Sequence, residues 1–188
     1  MVLNNDLAFY GLNPKNNFKN FKPETIGQTK ALTELKLIAD QSAEMINRNG
    51  SLRHGKMINL YGTDDIAKNH LVEAFAQKVI DKIRVDVKEK LAIIKNRRSL
   101  ETLGFVAVDP VNPSILIAEN LFNELNDVED VDLEDKAHLI VALQRAEMNR
   151  KLFLTTTNFP LLELFKKVGG HIPNIGIYEY CVSANNRH

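Results

Sequence analysis

The sequence predicts an α/β domain with a mostly parallel sheet between layers of helices. Short apolar segments alternate with longer segments whose apolar residues recur at helical spacing, a pattern typical of parallel α/β folds. A chain of 188 residues is long enough for one hydrophobic core and hardly long enough for two. We therefore expect one domain over residues 24–188, preceded by an N-terminal arm over residues 1–23.

The composition is that of an ordinary globular protein. Apolar residues make up 44% and charged residues 26%, and 24 Lys and Arg balance 24 Asp and Glu, so the overall charge attracts neither nucleic acid nor an anionic membrane. No apolar run approaches a spanning helix, and the first residues lack the layout of a signal peptide. One cysteine, Cys181, and scattered histidines predict no disulfide framework and no metal site. These features predict a cytoplasmic protein with no membrane partner.

The first half of the chain follows this alternation. The arm is rich in Asn, Lys, Phe and Pro without helical period, so we expect an irregular segment that docks on the core. A helix begins after Thr25, a candidate N-cap, and ends at Gly50. A buried strand over 56–62 follows, and then a helix whose apolar residues repeat at i+4.

The second half contains one ambiguous segment, residues 84–100, which alternates like a strand at its start and resembles a basic helix further on. Residues 104–108 and 114–118 both predict strands, but the residues between them are too few for a parallel crossover. These strands either pair antiparallel, are not neighbours, or do not both belong to the main sheet. The remaining elements are listed here in order: a helix over 133–150, a strand over 152–156, a short helix over 161–168 and a strand over 175–182. That last strand carries Cys181, for which we expect a buried structural role.

The segment after the first predicted strand has the spacing of a phosphate-binding loop. Gly62, Lys68 and Asn69 match the first glycine, the lysine and the polar position of GxxxxGK[ST], in the strand–turn–helix context where backbone N–H groups cradle phosphates. The spacing therefore predicts a P-loop NTPase fold.

Several residue types in this loop argue against nucleotide chemistry. Ala67 adds a Cβ where the second glycine allows close approach of a phosphate, and Asn69 replaces the hydroxyl that ligates magnesium. Asp64 and Asp65 add negative charge where the ligand is itself an anion. The loop thus indicates descent from P-loop NTPases more strongly than it indicates NTPase activity.

Two further strand ends fit the same fold. The segment 114–120 stands where a P-loop protein has a metal-organising Asp followed by a catalytic Glu. In one alignment Ala118 replaces the Asp and Glu119 is the surviving acid; in the other Glu119 is the Asp and Asn120 replaces the base. The strand over 152–156 leads to Asn158, the residue type that senses a γ-phosphate in such folds. Each signal is weak alone, and their order is what favours the prediction.

These segments resemble the AAA+ module of bacterial replication initiators, the DnaA-like family, and of the related DnaC-like helicase loaders. Residues 12–21 look like the N-terminal segment of the initiators and 67–79 like their loop-to-helix segment, and the resemblance extends over about 12–182. It implies a three-layer AAA+ sandwich that works with a replication partner, an initiator or the replicative helicase. It also implies a set of site residues: nucleotide binding at Gly62, Lys68, Asn69 and Asn158, and catalysis at Glu119.

The chain also departs from this family. No arginine lies between Arg150 and Arg187, where the family places one that acts on a neighbour's ATP, and too few residues follow Val182 for the helical lid or a DNA-binding domain. We therefore expect a non-catalytic or weakly active AAA+-like protein that acts through protein partners in replication initiation or its regulation.

Two alternative functions remain open from the sequence. The first is an ATP-binding switch or ATPase with ATP and Mg²⁺ as cofactors. The second is a DNA-binding accessory factor that uses the basic cluster of Lys88, Lys90, Lys95, Arg97 and Arg98, with Lys95, Arg97 and Arg98 as the DNA-binding residues, although a solvated helix face is the commoner role of such a cluster.

Overall fold

The computed structural model describes residues 2–95, 113–122, 125, 128–168 and 176–183. Its helices are α1 (Val2–Phe9), α2 (Ile26–Asn49), α3 (Asp65–Lys82), α4 (Val87–Lys90), α5 (Leu133–Met148) and α6 (Leu161–Val168). Its strands are β1 (Lys56–Tyr61), β2 (Leu91–Lys95), β3 (Ile115–Glu119), β4 (Leu152–Thr157) and β5 (Gly176–Cys181), and a 3-10 turn at Val128–Asp130 precedes α5. Among these described helices, none combines the length and apolar character that crossing a membrane requires.

The five described strands form one parallel sheet in the order β2-β3-β4-β1-β5. One core joins α1, α2 and α3 to one face of the sheet, and a second core joins α5 and α6 to the other face. The predicted α/β sandwich with a mostly parallel sheet is confirmed. Because every strand points the same way, the loops after β1, β3 and β4 lie along one edge of the sheet.

Helix α2 begins and ends where the sequence predicts. The Thr25 hydroxyl accepts a hydrogen bond from the Gln28 amide at 3.1 Å, which satisfies one of the free N–H groups of the first turn. At the other end Gly50 adopts a φ of 70° and its N–H donates to the Ile46 carbonyl. A left-handed residue at this position is what favours glycine there.

The N-terminal arm docks on the core as predicted, but it is not wholly irregular, because α1 is helical. Of the α1 side chains described, those of residues 6–9, only Leu7 is buried. Beyond α1, Phe18 and Phe21 are buried against α2 and α3. The Gln77 side chain of α3 donates to the carbonyls of Asn13 and Asn16 at 2.6 and 2.9 Å. The arm is therefore part of the folded unit.

The described part of the ambiguous segment, residues 84–95, contains both element types, in the reverse of the expected order. The start of the segment, expected as a strand, holds the short helix α4, and the apolar run that resembled a helix is β2, which pairs with β3 in parallel. The boundary between α4 and β2 falls inside the segment, so neither the helical nor the strand periodicity extends over all of it. The strand predicted over 104–108 lies outside the described residues.

The prediction for Cys181 is wrong, because its side chain is exposed. Within the described sheet β5 is the last strand in the order, and its side chains are only partly covered. An alternating pattern in such a strand does not bury either face fully.

Candidate functional site after β1

The loop between β1 and α3 is shorter than a phosphate-binding loop. β1 ends at Tyr61 and α3 begins at Asp65, whereas the P-loop motif places four loop residues between its two glycines. Ile66 and Ala67 therefore already belong to the first turn of α3. Gly62 keeps a special role, since its φ is 125° and a Cβ there would lie 2.6 Å from the Ser183 hydroxyl oxygen.

Asp64 occupies the place of an anion at the N-terminus of α3. Its Oδ1 accepts a hydrogen bond from the Ala67 amide at 2.9 Å, and its carbonyl oxygen accepts one from the Lys68 amide at 3.0 Å. Its Oδ2 accepts a bond from the Gln28 side chain of α2 at 3.2 Å. A carboxylate at this position is favoured by the helix dipole. Two of the backbone amides at this helix N-terminus, those of Ala67 and Lys68, thus already have acceptors within the chain.

The Lys68 side chain is fully buried and surrounded by oxygens. Its Nζ donates to the carbonyls of Gly62 at 2.6 Å and Thr157 at 2.9 Å, and to Oδ1 of Asn158 at 3.2 Å. It also forms an ion pair with Asp65 at 2.9 Å. An ammonium has three protons, so these four oxygens saturate it. Asp65 supplies the negative charge that a bound phosphate would otherwise supply.

The structure brings three of the predicted nucleotide-binding residues together, Gly62, Lys68 and Asn158, at the carboxyl ends of β1 and β4. Asn158 accepts from Lys68 and donates through Nδ2 to the Leu125 carbonyl at 3.4 Å. The fourth residue, Asn69, lies on α3, and its Oδ1 is buried without a hydrogen-bond donor among the described residues.

Glu119 is buried at the carboxyl end of β3, on the same edge of the sheet. The next residue, Asn120, adopts a φ of 60°, and its amide donates to the Thr156 hydroxyl of β4 at 2.7 Å. The turn after β3 is therefore fixed to β4, and both alignments of Glu119 with the acidic residues of P-loop proteins stay open.

Of the predicted basic cluster, only Lys88 and Lys90 have described side chains, and that of Lys90 is buried. Lys95 is the last residue of β2, and only its backbone is described, whereas Arg97 and Arg98 lie beyond it. The proposed contact with DNA therefore stays a prediction.

A buried polar network behind Lys68 escaped the sequence analysis. Asn59, fully buried in β1, donates to Oε1 of Glu179 on β5 at 3.0 Å and accepts from the Thr157 hydroxyl on β4 at 3.0 Å. The same Glu179 oxygen accepts the Leu161 amide at 2.5 Å, which caps the first turn of α6. The only signal in the sequence was one Asn among the apolar residues at the centre of β1.

A cleft of about 290 Å³ lies beside the first turn of α3. It is slightly smaller than the roughly 300–1,000 Å³ of typical ligand pockets. Its lining includes Lys22 but also the carboxylates Glu24 and Asp64, so its charge does not complement a triphosphate. Ile66, at its rim, is 83% exposed. The rim therefore offers an apolar contact.

No known protein-family profile matches the chain, and no curated protein matches its sequence significantly. Solved structures do share its fold. The chain is 15% identical to DnaI, with a TM-score of 0.63 over 88% of this chain and 90% of that one. It is 13% identical to domain III of the Thermotoga maritima replication initiation protein DnaA, with a TM-score of 0.57 over 90% of this chain and 68% of that one.

The chain has the AAA+ fold of these replication proteins. A primosome component from Streptococcus pyogenes serotype M3 has it too, at 14% identity and a TM-score of 0.56 over 94% of this chain and 92% of that one. The resemblance seen in the sequence is thereby confirmed. At these identities the likeness establishes the AAA+ fold, and activity has to be argued from the site.

Proposed function

We propose that this AAA+-like chain acts in replication initiation or its regulation by binding a protein partner, an initiator or the replicative helicase, without efficient ATP hydrolysis. The observation that carries the proposal is the saturated ammonium of Lys68. A phosphate that recruits Lys68 must first separate it from these oxygens. Each buried oxygen left without its donor costs about 1–3 kcal/mol, and the apparent affinity for nucleotide falls accordingly.

The N-terminus of α3 supports the same conclusion. An incoming phosphate has to displace the carboxylate of Asp64 from the Ala67 amide and approach the charge of Asp65. Both steps are unfavourable for an anionic ligand. In addition, the amides of Ala67 and Lys68 already have acceptors within the chain.

The replication context is supported by the fold shared with DnaI and with domain III of a replication initiation protein. A protein partner is supported by the rim of the loop, where Ile66 exposes an apolar side chain. A single exposed apolar side chain is common on protein surfaces, but at this position it suits a contact with a protein better than a contact with a phosphate group.

Calorimetric titration with ATP and Mg²⁺ tests the missing nucleotide site. We expect the wild-type chain to show no saturable binding at micromolar ligand and no thermal stabilisation. Micromolar binding that Lys68→Ala abolishes and Lys78→Ala preserves would overturn the proposal. Lys78 is a suitable control because it lies on the same helix, partly exposed and remote from the loop.

A restored loop sharpens this experiment. The triple variant Asp65→Gly, Ala67→Gly, Asn69→Thr recreates the motif GxxxxGKT in the chain. If the loop residues limit binding, this variant gains affinity for ATP that the wild type lacks. Equal affinity of the two proteins would contradict the role given to these three loop residues.

Binding to the purified initiator and replicative helicase of the same host tests the partner. We expect micromolar affinity for one of them, weakened about tenfold or more by Ile66→Glu. The matched control is Leu37→Glu, which places the same charge on an exposed apolar position of α2. Absence of binding to both proteins would refute a direct role beside them.

An ATP-binding switch is the second candidate. It is favoured by the convergence of Gly62, Lys68 and Asn158 at one edge of the sheet, which is the arrangement that a nucleotide requires. In this alternative the Lys68–Asp65 ion pair is the off state and ATP breaks it. The same titration distinguishes the two functions.

A further inference from the structure

An apolar stripe runs along the outer face of α5. At 100° per residue, Leu133, Ala137, Val141 and Met148 fall within an arc of about 80°, with Gln144 the polar member of the same arc. Leu133 and Met148 are 80% and 81% exposed and Val141 is 38% exposed. The opposite face of α5 packs on the sheet through Leu139, Ala142, Leu143 and Ala146. The helix is therefore apolar on two faces.

This outer stripe does not serve the fold. A helix that only covers a sheet needs one apolar face and presents polar residues to water. Here the two ends of the stripe, Leu133 and Met148, are among the most exposed large apolar side chains described. The stripe extends about 22 Å along the axis at about 1.5 Å per residue. An exposed apolar surface of this kind marks a contact with another molecule.

Charged residues flank the stripe in a pattern that complements itself. Glu134 and Arg145 lie on one flank, and Lys136 and Glu147 lie on the other. We propose that the occupant of the stripe is α5 of a second copy of this chain, packed antiparallel about a two-fold axis between Ile140 and Val141.

That axis places an apolar residue of the other copy opposite both ends of the stripe and at its centre. Leu133 of one copy faces Met148 of the other, Ala137 faces Gln144, and Val141 lies beside Val141 of the other copy next to the axis. Large residues thus face each other at both ends, and the small Ala137 faces the long Gln144, which leaves room for close packing of the two helices.

The same axis pairs the charges. A two-fold axis of this kind brings equal flanks together, so Glu134 of one copy meets Arg145 of the other, and Lys136 meets Glu147. Each pair is displaced by two residues, about 3 Å along the axis, which side chains of this length span. The antiparallel order also places each helix N-terminus beside a C-terminus of opposite partial charge. Apolar register, charge and dipole therefore favour the same dimer.

Two helices of this length offer a contact smaller than the standard interface of roughly 1,600 Å². The dimer is accordingly reversible and forms at micromolar or higher concentration. It does not involve the loop after β1, so it is independent of the function proposed above.

Sedimentation equilibrium over a range of concentrations tests the dimer. The wild-type chain should change from one to two copies per particle, and Val141→Glu should raise the dissociation constant at least tenfold because it buries a charge near the axis. Leu37→Glu, the same change on an exposed position of α2, should leave association unchanged. Lys136→Glu should weaken the dimer, and adding Glu147→Lys should restore it.

Cross-linking tests the orientation, in a Cys181→Ser background because the native thiol is exposed. Oxidation of a mixture of Leu133→Cys and Met148→Cys chains should yield a mixed disulfide, whereas Leu133→Cys alone should not couple to itself. A chain that remains monomeric up to its solubility limit, or a Val141→Glu variant that associates like the wild type, would overturn the inference. Self-coupling of Leu133→Cys would overturn the antiparallel arrangement.

Discussion

The two ends of α3 carry lysine–aspartate pairs in opposite environments. At the N-terminal end Lys68 is fully buried and bonds to three further oxygens besides Asp65. At the C-terminal end Lys82 and Lys78 contact Asp40 of α2 at 2.7 and 3.3 Å, and all three side chains remain partly exposed. Lys68 is part of the protein interior, whereas the contacts of Lys78 and Lys82 with Asp40 are ordinary surface contacts. Position on one helix therefore does not determine what a lysine does.

The difference follows from desolvation. A buried ammonium is stable only when its protons are all bonded, and then each bond is strong and its loss is costly. An exposed pair exchanges its partner for water at little cost and contributes on the order of 1 kcal/mol or less. A lysine of the first kind is a poor receptor for an exchangeable ligand.

Removing Lys68 should have the largest effect on stability. Lys68→Ala leaves the Gly62 carbonyl buried without a donor, removes one of the two donors to the Thr157 carbonyl and takes away the partner of Asp65, so we expect the free energy of unfolding to fall by about 2 to 4 kcal/mol. Lys78→Ala should lower it by less than about 1 kcal/mol. Urea denaturation of both variants measures the contrast. Equal, small losses would mean that the Lys68 ammonium is solvated and free to meet a ligand.

Removing the cap of α3 should have a smaller effect. Asp64→Ala removes the acceptor of the Ala67 amide and the bond from Gln28, and we expect a loss of about 1 kcal/mol. Asp64→Asn keeps an oxygen in place and should lose only a fraction of that. The same urea experiment compares the two variants, and an unchanged Asp64→Ala protein would argue against the cap.

The exposed contacts of Asp40 with Lys78 and Lys82 should contribute least to the free energy of unfolding, and only above acidic pH. Burial tends to raise the pKa of Asp40, but hydrogen bonds from Lys82 and Lys78 outweigh it and hold this pKa below its usual value of 3.8. A lowered pKa in the folded state stabilises the protein above the unfolded pKa, and this stabilisation is lost as the pH falls through the folded value.

The variant Asp40→Asn tests this contribution. Its free energy of unfolding should be lower than that of the wild type by less than about 1 kcal/mol near neutral pH, and the difference should shrink below pH 4. Urea denaturation at several pH values gives the curve. A difference that grows as the pH falls would contradict a lowered pKa of Asp40 in the folded protein.

Much of the fold was predictable because its signals are local. The cap at Thr25, the stop at Gly50 and the i+4 repeat within α3 each lie within a few residues of the feature they encode. The prediction for residues 84–100 was ambiguous for a local reason as well. Helix α4 is only one turn long, and β2 begins at the next residue. Neither the helical nor the strand periodicity continues there over enough residues to be recognised.

The environment of Lys68 was not predictable in this way. The spacing from Gly62 placed Lys68 on the first turns of a helix after a strand, and the structure agrees with that placement. Its other acceptors belong to Thr157 and Asn158, about ninety residues further along the chain. Nothing near Lys68 in the sequence reports that the end of β4 approaches it. The same holds for Asn59, whose partners lie on two other strands.

Asn59 has a consequence for how the sheet assembles. In the native alignment its Cα faces Thr155 of β4 and Glu179 of β5. If either neighbour slips by one residue, every side chain of the slipped strand changes face, and the amide of Asn59 loses its bond to that strand while it stays buried. Apolar side chains alone tolerate such an error more readily, since one aliphatic contact replaces another. The single buried amide at the centre of β1 thus disfavours incorrect registers of its neighbouring strands.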